Sequence, residues 1–255
     1  MIDPANITVF VTGATAGFGA AIARLFIRSG ALVIATGRRR DRLDGLAREL
    51  GSDRLHTVEF DVRDEAAVKN AVAALPARFG SITVLVNNAG LALGMEPAQA
   101  ASMDDWETMI DTNIKGLVYV TRAVLPGMVE RKRGHIISMG SVAGTYPYPG
   151  GNVYAGSKAF VHQFSLALRS DLLGHNIRVT SVEPGMAETE FSEVRFKGDK
   201  EKAKGVYKGM KPVSADDVAE IVRYVATLPE HVNVNTIEIM PVTQAFGGFA
   251  VHRQD

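Results

Sequence analysis

A chain of 255 residues with 46% hydrophobic content can bury a substantial core within one domain. Lysine plus arginine and aspartate plus glutamate balance at 28 each, a formal net charge of zero that argues against a dedicated nucleic-acid binder. With no cysteine, disulfides, thiolate catalysis and cysteine-ligated zinc are excluded, and no run approaches the ~20 apolar residues of a membrane span.

Residues 1–6 are polar without a basic lead, and the apolar run 7–11 is too short for a signal-peptide core, so a cytoplasmic protein is expected. That run reads as a strand, followed by a glycine-rich turn and a helix over about 17–28. A strand over 31–35 precedes a charged helix over 41–50, and a strand over 56–60 precedes a helix over 64–75. A strand over 83–86 leads to a long helical region over 102–131 with a break near Asn113. A strand over 134–139, a helix over 152–173, a strand over 177–182, a helix over 215–227 and a strand over 236–239 complete the chain. No Ser/Gly/Pro tract, charge block or repeat interrupts it, so 1–255 is expected to form one unit. The alternation predicts a single Rossmann-type, doubly wound α/β domain, its sheet seven-stranded and mainly parallel with helices on both faces. In such folds ligands bind beyond the carboxyl ends of the strands, so the chemistry is sought there.

After the first strand comes Thr12-Gly13-Ala14-Thr15-Ala16-Gly17-Phe18-Gly19. Glycines let the backbone turn sharply and approach a pyrophosphate, and the following helix N-terminus offers free N–H groups. The spacing is G-x-x-x-G-x-G rather than G-x-G-x-x-G; alone it also fits a plain βα turn. After the second strand, where an NAD site places an acid for the ribose hydroxyl, stand Gly37-Arg38-Arg39-Arg40. Forked guanidinium groups suit a 2′-phosphate, and a basic helix start opposes the dipole, so Arg38 and Arg39 point to NADP. The other reading is a solvated basic helix start, which stands level for Arg40. Asp61-Val62 after the third strand suits an adenine amino group, against a helix-capping role for Asp61 or Asp64. Asn87-Asn88-Ala89-Gly90 after the fourth suits packing over a ribose, against a simple turn.

After the fifth strand comes Ser141, and the next helix carries Tyr154 and Lys158, four apart on one face. A lysine ammonium beside a phenol is expected to lower the tyrosine pKa from its usual value of about 10, as a proton donor and acceptor near neutrality requires. Ser141 can hold a substrate oxygen against Tyr154. Pro184-Gly185, with Thr189 downstream, can lie against a nicotinamide and bond its carboxamide. The six histidines lack close ligand spacing, so no metal is expected, and Trp106 reads as a packing residue.

Thr-Gly-x-x-x-Gly-x-Gly, Asn-Asn-Ala-Gly, Ser-x12-Tyr-x-x-x-Lys and Pro-Gly occur in this order, and together they resemble the short-chain dehydrogenase/reductase family over nearly the whole chain. The resemblance implies NADP(H) held by Gly13, Thr15, Gly17, Phe18, Gly19, Arg38, Arg39, Asp61, Val62, Asn88, Ala89, Gly90, Tyr154, Lys158, Pro184, Gly185 and Thr189. It implies a tetrad of Asn113, Ser141, Tyr154 and Lys158, with Asn113 holding a proton path to Lys158 through its helix break and a water. It further implies a homotetramer and a small substrate lid over about 186–212.

Segments such as Gly37-Arg38-Arg39, residues 91–97, residues 148–154, residues 191–198 and residues 240–244 are similar to those of NADP-dependent 3-hydroxy acid dehydrogenases. That group acts on malonic semialdehyde, 3-hydroxy acids, L-serine and L-allo-threonine. The loop 184–189 departs slightly in length from some relatives. A hydroxy acid substrate would meet Ser141, Tyr154 and Arg195; Arg195 reads equally as a bidentate carboxylate ligand or as a solvated lid residue, like Lys197. The competing functions are a reductase of another carbonyl class, such as 3-oxoacyl thioesters or sugars, and a non-catalytic nucleotide sensor. An intact Ser141, Tyr154 and Lys158 argues against the sensor. No membrane or nucleic-acid partner is expected.

Overall fold

Side chains alternate faces along a strand, and β1 (Thr8–Val11) uses that alternation to feed two cores. Val9 and Val11 enter one, Phe10 the other, all of them fully buried. The first core lies under α1 (Gly17–Arg28), α2 (Arg40–Leu50) and α9 (Ala215–Thr227), through residues such as Ile22, Phe26, Leu43 and Val222. The second lies under α3 (Glu65–Ala73), α5 (Leu117–Glu130) and α6 (Asn152–Asp171), through Val68, Val124, Met128 and Leu168. Coverage on both faces explains why the strands are nearly continuous apolar runs. The remaining strands are β2 (Leu32–Gly37), β3 (Leu55–Glu59), β4 (Val84–Asn87), β5 (Gly134–Met139), β6 (Ile177–Pro184) and β7 (Thr236–Ile239).

This computed structural model describes residues 1–246; residues 247–255 of the expected domain lie outside the described residues. Its seven-stranded sheet has the order β3-β2-β1-β4-β5-β6-β7. Every pairing is parallel, so the sheet is wholly rather than mainly parallel. The order reverses between β1 and β4, which opens a crevice at their carboxyl ends. Among the described residues no helix is long and apolar enough to cross a membrane.

Three local differences from the sequence reading bear on the site. The break near Asn113 is a π-helical turn, Asp111–Gly116, between α4 (Met103–Ile110) and α5. Gly116 permits it, because a Cβ there would lie 2.6 Å from Val62 Cγ2. β6 runs on to Pro184, since Glu183 and Pro184 pair with Glu238 and Ile239 of β7. The segment 186–212, too short in period to read as helix, holds α7 (Phe191–Arg195) and α8 (Lys200–Gly205).

Candidate active site

At the crevice β1 and β4 are tied by one hydroxyl. Thr12 Oγ1 accepts the N–H groups of Asn88 and Ala89, each at 2.9 Å. Asn88 Nδ2 donates to Thr12 O at 2.8 Å and to Gly13 O at 3.2 Å, so its side chain holds the loop rather than facing outward. Gly13 adopts φ 66°, and a Cβ there would come within 3.0 Å of Ala89 Cα. α1 begins without a side-chain cap, which leaves its first N–H groups free for an anion. The cradle therefore fits a pyrophosphate. Gly19 departs from the expectation of a direct contact. It sits behind the loop, and a Cβ there would run into the Gly13 carbonyl oxygen, so its smallness lets the helix close on the turn.

The basic cluster forms one edge. Arg39 donates to Thr15 Oγ1 from Nε (3.2 Å) and Nη2 (2.9 Å) and pairs through Nη1 with Glu190 at 3.1 Å. Arg42 reaches Glu190 at 3.2 Å, and Arg38 faces Asp61 at 3.6 Å. Arg40 pairs with Asp44 along its own helix. Burial pushes Asp61 upward, but hydrogen bonds from Arg63 and the charge of Arg38 outweigh it and hold the carboxyl below its usual range. Asp61 is thus an ion-pair residue, and the α3 cap is Asp64, which accepts from Ala67 N at 2.9 Å.

The glycine turn and the Arg38–Arg39 edge line one cleft of about 1490 Å³ including its open mouth. Its walls carry Gly13, Thr15, Gly17, Phe18, Arg38, Arg39, Asp61, Val62, Asn88, Ala89, Gly90, Ser141, Tyr154, Lys158, Pro184, Gly185 and Thr189. Phe60, Thr112, Met139 and Glu190 line it too and were not singled out in the sequence, since single residues at strand ends, in the π turn and in a loop carry no motif. Among the described residues no cluster of acidic or histidine side chains could hold a metal ion.

At the cleft floor Ser141 Oγ accepts from Ala143 N at 3.1 Å, donates to Pro184 O at 3.4 Å and faces the phenol of Tyr154. Lys158 Nζ donates to Met139 O at 2.7 Å and stands 5.8 Å from the Tyr154 ring centroid. Burial pushes Lys158 down to about 8. Burial also pushes Tyr154 up to about 12, opposed by the Ser141 hydrogen bond and the Arg195 charge. The expectation of a phenol lowered by its lysine is therefore corrected: burial raises it. Lys158 spends its hydrogen bond on a backbone carbonyl and faces the ring, while burial disfavours the phenolate.

Asn113 is not on the cleft wall. Its amide accepts from Leu91 N at 2.9 Å and donates to Leu91 O at 2.8 Å and Ser157 Oγ at 3.0 Å. The side chain is a brace between the π turn, the β4 loop and α6. Gly90 fits above it, where a Cβ would meet Asn113 Oδ1 at 3.3 Å and Lys158 Nζ at 3.6 Å.

The segment after β6 roofs the floor. Thr189 accepts from Phe191 N at 3.1 Å and packs by its Cβ at 3.3 Å from the position of a Gly17 Cβ. Phe191 sits 5.6 Å from the Tyr154 ring. Arg195 places its guanidinium carbon 5.3 Å from the Tyr154 centroid and 5.5 Å from that of Tyr148, to whose hydroxyl it donates. Lys197 instead pairs with Asp105 at 2.8 Å, away from the floor. Sequence reading named Arg195 but missed Tyr148 as its partner; a contact across 47 residues leaves no local spacing signal.

Comparison with known proteins agrees with this geometry. Residues 7–200 match the short chain dehydrogenase family. The chain is 62% identical over 246 residues to the NADP-dependent 3-hydroxy acid dehydrogenase of Salmonella typhi, covering 96% of this chain and 99% of that protein. It is 55% identical to serine 3-dehydrogenase of Rhizobium radiobacter, covering 97% and 98%. Among solved structures, the closed form of a serine dehydrogenase complexed with NADP+ superposes with a TM-score of 0.95 at 61% identity, covering 96% of this chain and 99% of that one. The chain belongs to the short-chain dehydrogenase/reductase family.

Proposed function

We propose that this protein is an NADP-dependent dehydrogenase that interconverts short 3-hydroxy acids and their 3-oxo acids, with 3-hydroxypropionate/malonic semialdehyde, L-serine and L-allo-threonine as candidate substrates. The observation that carries this reading is a guanidinium, Arg195, stacked over Tyr154 where Ser141 and Lys158 also converge. A hydroxyl held on Ser141 and Tyr154 and a carboxylate held on Arg195 describe one small molecule. A neutral alcohol or a long thioester makes no use of the cation. Arg195 Nε is buried and has no hydrogen-bond partner among the described residues, a donor suited to an acceptor on the substrate.

The cradle of Gly13, Thr15, Gly17 and Phe18 would hold the pyrophosphate, with Gly19 closing α1 behind it. Arg38 and Arg39 would hold the 2′-phosphate, and Asp61, Val62, Asn88, Ala89 and Gly90 the adenosine and ribose region. Lys158, Tyr154, Pro184, Gly185 and Thr189 would hold the nicotinamide end. When bound, NADP(H) supplies the hydride acceptor or donor. In oxidation, Ser141 fixes the substrate oxygen and Tyr154 Oη accepts its proton; in reduction Tyr154 returns it. Lys158 contributes positive charge under the ring, and Asn113 braces the helix that carries both residues. Residues 186–212 act as a lid that excludes water from the floor.

The same reading includes a cytoplasmic homotetramer, checked by sedimentation. The substrate assignment is tested by assaying 3-hydroxy acids against neutral alcohols of similar size with NADP+, in the native protein and in Arg195→Met. A loss clearly greater for the acids than for the alcohols, measured on the pH plateau of each, supports it; an equal effect on both, or none, removes Arg195 from carboxylate recognition.

A further inference from the structure

Two cations flank the Tyr154 ring, and they come from different parts of the fold. Lys158 lies on the same helix, 5.8 Å from the centroid, with its ammonium committed to Met139 O. Arg195 lies on α7, inside the segment 186–212, with its guanidinium carbon 5.3 Å from the centroid. Three rings enclose that guanidinium, those of Tyr148, Tyr154 and Phe191, the last at 5.9 Å. Tyr148 fixes it by accepting from Nη2, and the Arg195 carbonyl accepts from Gly94 N at 3.1 Å, which pins the turn against the opposite loop. A planar cation fixed by stacking on aromatic faces keeps its charge under all working conditions.

We propose that Arg195 stabilises the Tyr154 phenolate, so that the 186–212 segment, which helps to bury the phenol, also brings a positive charge that offsets part of that burial. This rests on Tyr154 being the acid/base, and it assigns Arg195 a role separate from carboxylate binding. The other polar groups facing Tyr154 are Ser141 from the loop after β5, Tyr148 from the following loop and Lys158 from α6. Of these, Ser141 is neutral, Tyr148 opposes ionisation, and Lys158, with one of its three donors on Met139 O, is the second positive charge beside the ring. Arg195 lowers the Tyr154 phenol against the burial that raises it. A carboxylate bound to Arg195 neutralises part of its charge, so the effect is largest with a neutral substrate.

A unit charge roughly 5–7 Å from the phenolate, at an effective dielectric of about 20 and with allowance for solvent, moves the ionisation on the order of one pH unit. The test is the pH profile of kcat/KM for oxidation of a neutral secondary alcohol by the native enzyme, Arg195→Met and Arg195→Lys. Without a carboxylate, substrate recognition by Arg195 contributes nothing. The ascending limb is expected to move up by about that amount in Arg195→Met and to stay near native in Arg195→Lys. Ultraviolet titration of the phenolate in the NADP+ complexes, each protein compared with its Tyr154→Phe counterpart, reads the same ionisation without turnover and decides where a variant is inactive. An unmoved limb and an unmoved titration in Arg195→Met overturn the proposal while leaving carboxylate binding standing. Native turnover in Tyr154→Phe would instead overturn the acid/base reading beneath it.

Discussion

Arg39→Met separates recognition of the cofactor's charge from support of the loop that cradles it. The native side chain does both, since it bonds Thr15 Oγ1 through Nε and Nη2 and presents Nη1 towards Glu190 at 3.1 Å. Loss of the Thr15 contacts weakens any dinucleotide. These exposed guanidinium–hydroxyl contacts, weakened by solvent, contribute together about 0.5–1 kcal/mol, a common factor of roughly three. Loss of the charge weakens NADP alone. A charge-assisted contact contributes about 1.5–3 kcal/mol, and the side chain is 44% exposed, so screening favours the lower figure. That is roughly a further tenfold for NADP. Titration of the variant with NADP+ and NAD+ at low and high salt is expected to give a roughly thirtyfold loss for NADP+, a threefold loss for NAD+, and a gap that narrows with salt. Equal losses for the two cofactors would refute the 2′-phosphate role and leave Arg39 as a loop support.

Two further outcomes follow from packing and burial. Gly19→Ala is expected to abolish NADP+ binding in calorimetry and lower Tm, because its methyl would run into the Gly13 carbonyl oxygen; native binding in that variant would contradict the cradle described for α1. His135 is fully buried in β5, and burial, then the Arg178 charge, hold it well below its ordinary range. Thr180 Oγ1 gives its proton to Val234 O at 2.7 Å, so His135 Nε2 must donate to Thr180 and Nδ1 stays bare. The unfolded chain takes up that proton near pH 6.5 while the folded one does not, so stability falls as pH drops below about 6.5, by roughly 1.4 kcal/mol per unit down to the folded value. Urea unfolding at successive pH values should show this slope reduced in His135→Asn; an unchanged slope would mean the buried ring already carries its proton.

The succession of strands and helices, the glycine turn, the Ser141–Tyr154–Lys158 set and the arginine pair were legible because each is written in periodicity, in local spacing or at a strand end. What the sequence concealed depends on contacts between distant segments. Burial of Tyr154 and Lys158 reverses the direction expected for the phenol, and burial is a property of the closed fold. Asn113 reads as a proton-path residue, yet its amide is consumed by Leu91 and Ser157, partners 22 and 44 residues away. Glu190 joins the segment after β6 to Arg39 across 151 residues, and no pattern near either end announces it.

The central claim is proton transfer at Tyr154 during NADP-dependent oxidation of a 3-hydroxy acid. Tyr154→Phe keeps the ring that packs against Phe191 at 5.6 Å and removes only the hydroxyl. The decisive measurement is kcat for 3-hydroxypropionate oxidation in this variant, followed by absorbance of the reduced cofactor, with the NADP+ Kd taken in parallel. Positioned general acid–base catalysis contributes about 10²–10⁴-fold, so a loss of that size with a nearly native Kd is expected. Turnover within a fewfold of native, at an unchanged Kd, would contradict the account.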